Sequence, residues 1–343
     1  VFLYSFLSFT VVLVLGGYLY KTFEVLIYIE YNSKLHFERA VMIAALQMVL
    51  LGGVLYLQAL FGRKMQKQAV FNGALPRLSW KKSPTAMVFS ILYALLIVVF
   101  FTAPVLSVLI RSFQERGLPG GGFTLKNYEQ LFAGGFRFAV GKGFFSVLAG
   151  SLLLSGVVSV LTVGIAYFLV RIRKDSTWGR KDLWLQLPLG VSFLTFAFGV
   201  LVLAGRKLPS WALLIWAQLF LTFPLVYSIL RTARRELGEG VLEAAATLGA
   251  SPTQVSWTVE LPMMRRALQT ALAYAMALSL GDLSAVLVLG QGEIITLPVA
   301  IYRLIGHYRF AQATALGAVF MGISFLIFLV IEGYFRQSTK ESP

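Results

Sequence analysis

Glu243-Ala244-Ala245-Ala246-Thr247-Leu248-Gly249-Ala250-Ser251-Pro252, running on to Leu261-Pro262, is a polar, patterned island between two long apolar stretches. The alanine run favours helix from Leu242 to Leu248, and Gly249 breaks it. Ser251-Pro252 restarts it, because Ser is a good N-cap and Pro is tolerated at the first helical position. The spacing predicts helix, glycine turn, helix, with the second short helix over 252–259 ending before Leu261-Pro262. Glu243 lies near the start of the first helix, where the backbone dipole favours a carboxylate. It also offers a negative charge to a basic partner.

The sequence on either side of this island is hydrocarbon. Apolar residues make up 58% of the 343 and charged residues only 13%, against roughly a quarter charged in soluble domains. Apolar runs at 2–20, 40–61, 86–110, 141–170, 184–204, 209–230, 266–289 and 311–334 are each long enough to cross a bilayer core. In lipid every backbone amide must be satisfied within its own segment, so the expectation is an all-α polytopic membrane protein with about eight transmembrane helices. The alternating pattern of a β-barrel is not seen.

The net charge of +15 sits in loops beside the spans, which points to a lipid bilayer as partner and not to nucleic acid. Placing the 63–84 linker, with Arg63, Lys64, Lys67, Arg77, Lys81 and Lys82, in the cytoplasm puts the larger share of Lys and Arg inside, the direction of the positive-inside rule. The island at 243–262 then also faces the cytoplasm. Zero cysteines exclude disulfides and thiolate chemistry, and two histidines, His36 and His307, make no metal cluster. No acid–base–nucleophile set is visible. The expectation is a protein that is not an enzyme, with no metal and no cofactor.

The chain also repeats itself. Val12-Leu13-Val14-Leu15-Gly16 recurs as Val286-Leu287-Val288-Leu289-Gly290, and at the same offset Thr22 matches Thr296, Val25 matches Val299, and Ile27-Tyr28 matches Ile301-Tyr302. After a one-residue slip, Phe37 and Ala40 match Phe310 and Ala313. A register held across a polar loop indicates duplication. The copies are six spans apart, so both have the same orientation, a parallel repeat. On this reading residues 1–62 are the last two helices of a truncated first unit, 63–84 is a cytoplasmic basic linker, and 85–343 is a complete six-helix second unit. The chain starts at Val1 inside a span, which reads as a fragment. Outside the membrane, Gly117 to Gly122 is turn chemistry and 127–132 a short amphipathic helix at the interface. The 290–310 loop is too irregular to meet lipid.

Glu243-Ala244-Ala245, Gly249, Ala250, Ser251 and the Leu261-Pro262 pair resemble the "EAA" loop of permease subunits of bacterial ABC importers. With the loop at 239–262, the resemblance implies the type I ABC importer transmembrane fold in the bacterial inner membrane. It also implies that these residues form a coupling loop docking on a cytoplasmic ABC ATPase subunit, of which the importer carries two copies, while a periplasmic substrate-binding protein delivers the substrate outside. Over nearly the whole chain the sequence is most similar to the fused two-unit permeases of the thiamine and ferric-iron group, and more to the thiamine type, in the stretches 279–310 and 8–48. The first unit's own coupling loop is expected upstream of Val1.

Asp282 is the only acid inside an expected span, and its cost at the bilayer centre, about 2.5–3.5 kcal/mol on insertion scales, places it in the bundle interior. Two roles are open for it: lining the path of a cationic substrate, together with Ser279 and with Ser8 at the equivalent place in the first unit, or capping and packing a helix near Gly281. His307, Tyr308 and Arg309 fall at the outer mouth, either to meet a loaded binding protein or to anchor at the interface. The small residues Gly150, Ser151, Ser155, Gly156 and Ser159 suit close helix packing. A ferric-iron or polyamine permease is the alternative within the family. An ion-coupled secondary transporter is the alternative outside it.

Overall fold

The computed structural model describes residues 9–16, 20–65, 84–115, 122–172, 185, 188, 191–205, 207–237 and 239–337. Among them the only non-helical pairing is an isolated antiparallel bridge between Gln114 and Phe123. The helices are α1 Phe9–Leu15, α2 Phe23–Tyr28, α3 Phe37–Met65, α4 Pro84–Ser112, α5 Lys126–Phe132, α6 Gly134–Val140, α7 Phe144–Ile172, α8 Phe193–Ala204, α9 Ser210–Glu236, α10 Glu239–Thr247, α11 Pro252–Gln254, α12 Leu261–Leu280, α13 Ser284–Leu289, α14 Leu297–Gly306 and α15 Phe310–Gln337. Two π-helical turns, Ile29–Ser33 and Val255–Glu260, interrupt the series. This is the all-α membrane architecture expected from composition.

Among the described residues, five helical stretches are long and apolar enough to span a bilayer: Phe37–Val54, Met87–Ser112, Phe144–Ile172, Ser210–Glu236 and Phe310–Ile331. They fall on five of the eight expected spans. The other three are modified. The 266–289 span is broken: α12 ends at Leu280, Gly281 to Leu283 leave the helix, and α13 resumes at Ser284. The 184–204 run contributes the twelve-residue α8, N-capped by Ser192 Oγ, which accepts from Leu194 N at 3.2 Å and Thr195 N at 3.4 Å. Of 2–20, the described part is α1, Gly16 and Tyr20. The 290–310 stretch, expected to be irregular, is in large part the helix α14. Its Leu297, Val299, Ala300 and Leu304 are buried, so its apolar face meets protein.

Helices α7, α9 and α12 pack as a trio, and α15 carries α4 on its flank. Small and hydroxylic residues let α7 approach its neighbours, as small residues do in membrane interfaces. Ser151, Ser155, Ser159 and Thr162 are buried, Thr162 Oγ1 meets Thr222 Oγ1 of α9 at 3.1 Å, and Ser151 Oγ accepts from Leu297 N at 2.8 Å. The two cores lie at opposite ends of the trio. One gathers α1, α2, α8, α13 and α14 around Leu213 and Val147. The other joins Ala166, Val170, Tyr227, Leu230, Met264 and Ala271 next to the 243–262 hairpin. Asn127, in the short helix expected over 127–132, is buried, and its Nδ2 donates to Ser112 O and Gln114 O at 2.9 and 2.8 Å. That helix is bound to the end of α4. Of the glycine-rich 117–122 stretch, only Gly122 lies within the described residues.

The repeated stretches have matching backbone geometry. Gly16 N donates to Val12 O at 2.8 Å and Gly290 N to Val286 O at 2.9 Å; Tyr20 N reaches Gly16 O at 3.2 Å and Ile294 N reaches Gly290 O at 3.1 Å. A Cβ on either glycine would stand 2.5 Å from the valine carbonyl oxygen, closer than any real side chain tolerates. The slip of one residue also has a local cause. The π turn at 29–33 has no counterpart before 308 and widens the helix by one residue. Beyond it Leu35 (φ 56°) and Tyr308 (φ 58°) occupy the same left-handed corner.

Candidate functional site

The hairpin forms by local rules. Helix α10 ends in a left-handed residue, Gly249 at φ 89°, with Ala250 N returning to Ala245 O at 3.3 Å. That six-to-one bond around a positive-φ glycine is a Schellman-type stop, which a Cβ would strain. Ser251 then starts the second arm with a full capping box. Its Oγ accepts from Gln254 N at 3.3 Å, and Gln254 Oε1 accepts from Ser251 N at 2.8 Å. Glu243, Ala244, Gly249 and Ser251 are exposed, and Ala245 and Ala250 half-buried.

The second arm does not end before Leu261-Pro262 as its sequence suggested. It runs through a π turn directly into α12, with Leu261 N donating to Ser256 O. The wide turn explains how. Pro262 lacks an N–H and its ring crowds the carbonyl four residues back, and the lengthened register there accommodates both. The second arm of the hairpin is thus continuous with α12.

Two contacts pin it to the rest of the bundle. Arg171, at the end of α7, donates from Nη2 to Pro252 O at 2.9 Å. Arg234, at the end of α9, places Nε 2.7 Å from Glu260 Oε1, a carboxylate only 2% exposed, whose Oε2 also accepts from Ser256 Oγ at 3.2 Å. A cavity of about 420 Å³ between α7 and α12 runs beside the arm, lined by Tyr167, Arg171, Ser256, Trp257, Leu261 and Leu268.

Asp282 is buried at the break between α12 and α13. Its Oδ1 accepts from Ala285 N at 3.2 Å, and its Oδ2 from Gln218 Nε2 at 3.0 Å. Ser279 Oγ donates to Gln218 Oε1 at 2.7 Å, so Gln218 of α9 bridges both residues. The carboxylate caps α13 and ties it to α9, which is the capping role left open by the sequence, and it does so inside a buried polar cluster. Ser8, its expected counterpart, lies outside the described residues.

A second buried acid was missed because it falls outside the expected spans. Glu24, in the first turn of α2, is 1% exposed, and its Oε1 has no hydrogen-bond partner. Burial pushes its carboxyl up to about 7, while the nearby Ser192 and Gln47 side chains pull it down. Gln47 Oε1 accepts from Thr195 Oγ1 at 3.1 Å, so α2, α3 and α8 share one polar junction.

At the end of the bundle away from the hairpin, His307 and Tyr308 are exposed. Arg309 is a brace: its Nη1 donates to Gly135 O of α6 at 2.7 Å. Arg303 does the same to Val140 O at 2.6 Å, and Lys142 Nζ donates to Glu293 O. Glu30 accepts from Lys34 at 2.6 Å and faces His36 Nδ1 at 3.2 Å, and the lysine above all holds its carboxyl below the usual range. Among the described residues no three His, Cys, Asp or Glu gather as for a metal.

The hairpin lies within a stretch of the chain that resembles known proteins. Residues 182–340 match the family "Binding-protein-dependent transport system inner membrane component". That stretch resembles a domain of that family, the chain is a multi-pass inner-membrane protein, and the relatives it resembles are transport proteins. The chain is similar to the thiamine transport system permease protein of Haemophilus influenzae, 25% identical over 97% of this chain and 61% of the relative. It is also similar to the putative 2-aminoethylphosphonate transport system permease protein of Salmonella typhimurium, 27% identical over 70% of this chain and 91% of the relative. The chain therefore spans about three-fifths of the length of the thiamine relative. Its fold resembles a chain of a bacterial ABC transporter involved in import of the acidic polysaccharide alginate, with a TM-score of 0.57 and 16% identity over 75% of this chain and 98% of that one.

Proposed function

We propose that this chain is the membrane-spanning permease of an ATP-driven importer. It passes a small substrate, thiamine first among candidates, from a periplasmic binding protein to the cytoplasm, and ATP is hydrolysed on separate subunits. The observation that carries this reading is the hairpin. Its Glu243, Ala244, Gly249 and Ser251 are exposed, and its second arm is continuous with α12 through Pro262. A soluble ATPase subunit gripping it would move α12 directly, and through Arg171 and Arg234 would move α7 and α9. Coupling requires that this grip differ between nucleotide states, since equal contact in both would shift nothing.

On this reading the matching stretches 9–40 and 283–313 are equivalent parts of two parallel units, and 63–84 is a cytoplasmic linker. The hairpin at 239–262 engages one ATPase copy. Thiamine is supported by likeness to the thiamine permease over 97% of the chain and by the buried Asp282, a carboxylate that suits a cation. The aminoethylphosphonate relative names another substrate, so the substrate is set by what the binding protein holds. Co-purification tests the core of the proposal: the natural full-length protein should bring down a nucleotide-binding subunit, and Glu243→Lys should reduce the amount recovered. Purification without any ATPase subunit would overturn the reading.

The broken helix at Gly281–Leu283 with a buried acid is also what an ion-coupled secondary transporter uses. In proteoliposomes, uptake driven by an ion gradient without ATP would favour that second reading.

A further inference from the structure

Trp257, on the second arm of the hairpin, is 69% exposed, and Val160, on α7, is 63% exposed. Both line the cavity of about 420 Å³ between α7 and α12, whose walls change along their length. Val160, Val163 and Leu272 make one end hydrocarbon, and Arg171 and Trp257 stand at the hairpin end. From Val160 to Arg171 helix α7 rises about 16 Å. That is the hydrocarbon depth of one leaflet in a bilayer core about 30 Å thick. An indole at the mouth of such a slot sits at headgroup level, where amphipathic rings are favoured.

The polar groups at the mouth are unequally satisfied. Glu260 has both oxygens engaged, Oε1 with Arg234 Nε at 2.7 Å and Oε2 with Ser256 Oγ at 3.2 Å. Arg171 is half-buried and donates from Nη2 to Pro252 O at 2.9 Å, one of its five N–H donors. Among the described residues no carboxylate pairs with it. Tyr167 Oη, in the same wall, is buried with no hydrogen-bond partner. In the sequence Arg173, Lys174, Arg180 and Lys181 follow Arg171, against Asp175 alone over 171–181. The complementary ligand is an anion that carries its own hydrocarbon. Gly164 leaves room for it: this residue lines the slot and is exposed, and a Cβ there would meet nothing within 4 Å.

We propose that the groove between α7 and α12 binds an anionic phospholipid of the cytoplasmic leaflet, its phosphate on Arg171 and one acyl chain along Gly164. The importer reading above supplies only the side of the membrane. The phosphate diester gives Arg171 charge-assisted acceptors, and an ester carbonyl offers Tyr167 Oη the acceptor it lacks. Basic pockets between transmembrane helices on the cytoplasmic side take anionic headgroups in this way. Because Arg171 also holds Pro252, the bound lipid touches the start of the hairpin's second arm.

Native mass spectrometry of the natural full-length protein, with dioleoyl phosphatidylglycerol or dioleoyl phosphatidylcholine added in turn, tests this. The parent should hold the first phosphatidylglycerol about fivefold more tightly than phosphatidylcholine, the preference that one arginine confers. Arg171→Gln should level the two lipids, and Arg171→Lys should keep most of the preference. Gly164→Leu sends its side chain into open space and strengthens the helix, so the fold should persist while both lipids bind more weakly. Equal binding of the two lipids by the parent, or a preference that survives Arg171→Gln, overturns the anionic headgroup. Lipid binding unchanged in Gly164→Leu overturns the groove as the site, which is also the outcome if another protein segment covers it. Lipid binding is read on this protein alone, so it holds or fails independently of whether an ATPase subunit binds the hairpin.

Discussion

Arg234 Nε stands 2.7 Å from Glu260 Oε1, joining the end of one membrane helix to the root of the next across the base of the hairpin. Glu260 is 2% exposed, so its charge has lost its water, and Arg234 compensates. Removing one partner of such a pair strands the other. Arg234→Ala is expected to lower stability by about 3–5 kcal/mol, and Arg234→Ala with Glu260→Gln to recover most of it. Thermal unfolding in detergent, compared across the single and double variants, measures this. A double variant no better than the single would mean that the pair is not the source of the loss.

Gly249 holds a backbone corner that side chains rarely adopt. Gly249→Pro should break the turn and leave the transmembrane helices intact, because no part of the bundle core includes it. The expected outcome is ATP hydrolysis that continues without substrate uptake, as expected also of Glu243→Lys where any ATPase stays bound. Parallel assays of phosphate release and thiamine uptake decide it, and normal uptake by both variants would contradict the coupling role.

Asp282 caps α13 and holds Gln218. Asp282→Asn retains an acceptor for Ala285 N, so assembly should persist, while Asp282→Ala should cost about 1 kcal/mol for the lost cap. If the carboxylate also serves a cationic substrate, the Asn variant transports thiamine more slowly at unchanged expression. Undiminished uptake would leave Asp282 with the structural role alone.

Glu24 provides a pH dependence. Its folded-state value is raised from 4.5 to about 7, so the folded protein holds a proton that the unfolded chain releases. The stability penalty is absent below pH 4.5, grows between 4.5 and 7, and is complete above. Glu24→Gln should therefore be more stable than the parent at pH 8, by about 3 kcal/mol at most, with the gap closing as the pH falls to 4.5. Melting curves of both proteins over that range test the sign. A gap that widens on acidification would refute the burial of a neutral carboxyl.

What the sequence alone determined was whatever local chemistry enforces: the membrane class from apolar runs, the Gly249 stop, the Ser251-Pro252 start, and the equivalence of Gly16 with Gly290. Each depends on residues within a few positions of one another, where backbone sterics and capping decide the outcome. Tertiary structure decided which polar groups are buried together. Gln218 meets Asp282 across 64 residues, Glu24 faces Ser192 and Gln47, and Arg234 finds Glu260. The burial that gives these acids their chemistry is a property of helix packing, and no periodicity in the chain reports it. The same holds for the 281–283 break and the helical passage through Pro262: an apolar run predicts hydrocarbon around a segment, but contacts from α9 and α7 determine where that segment bends.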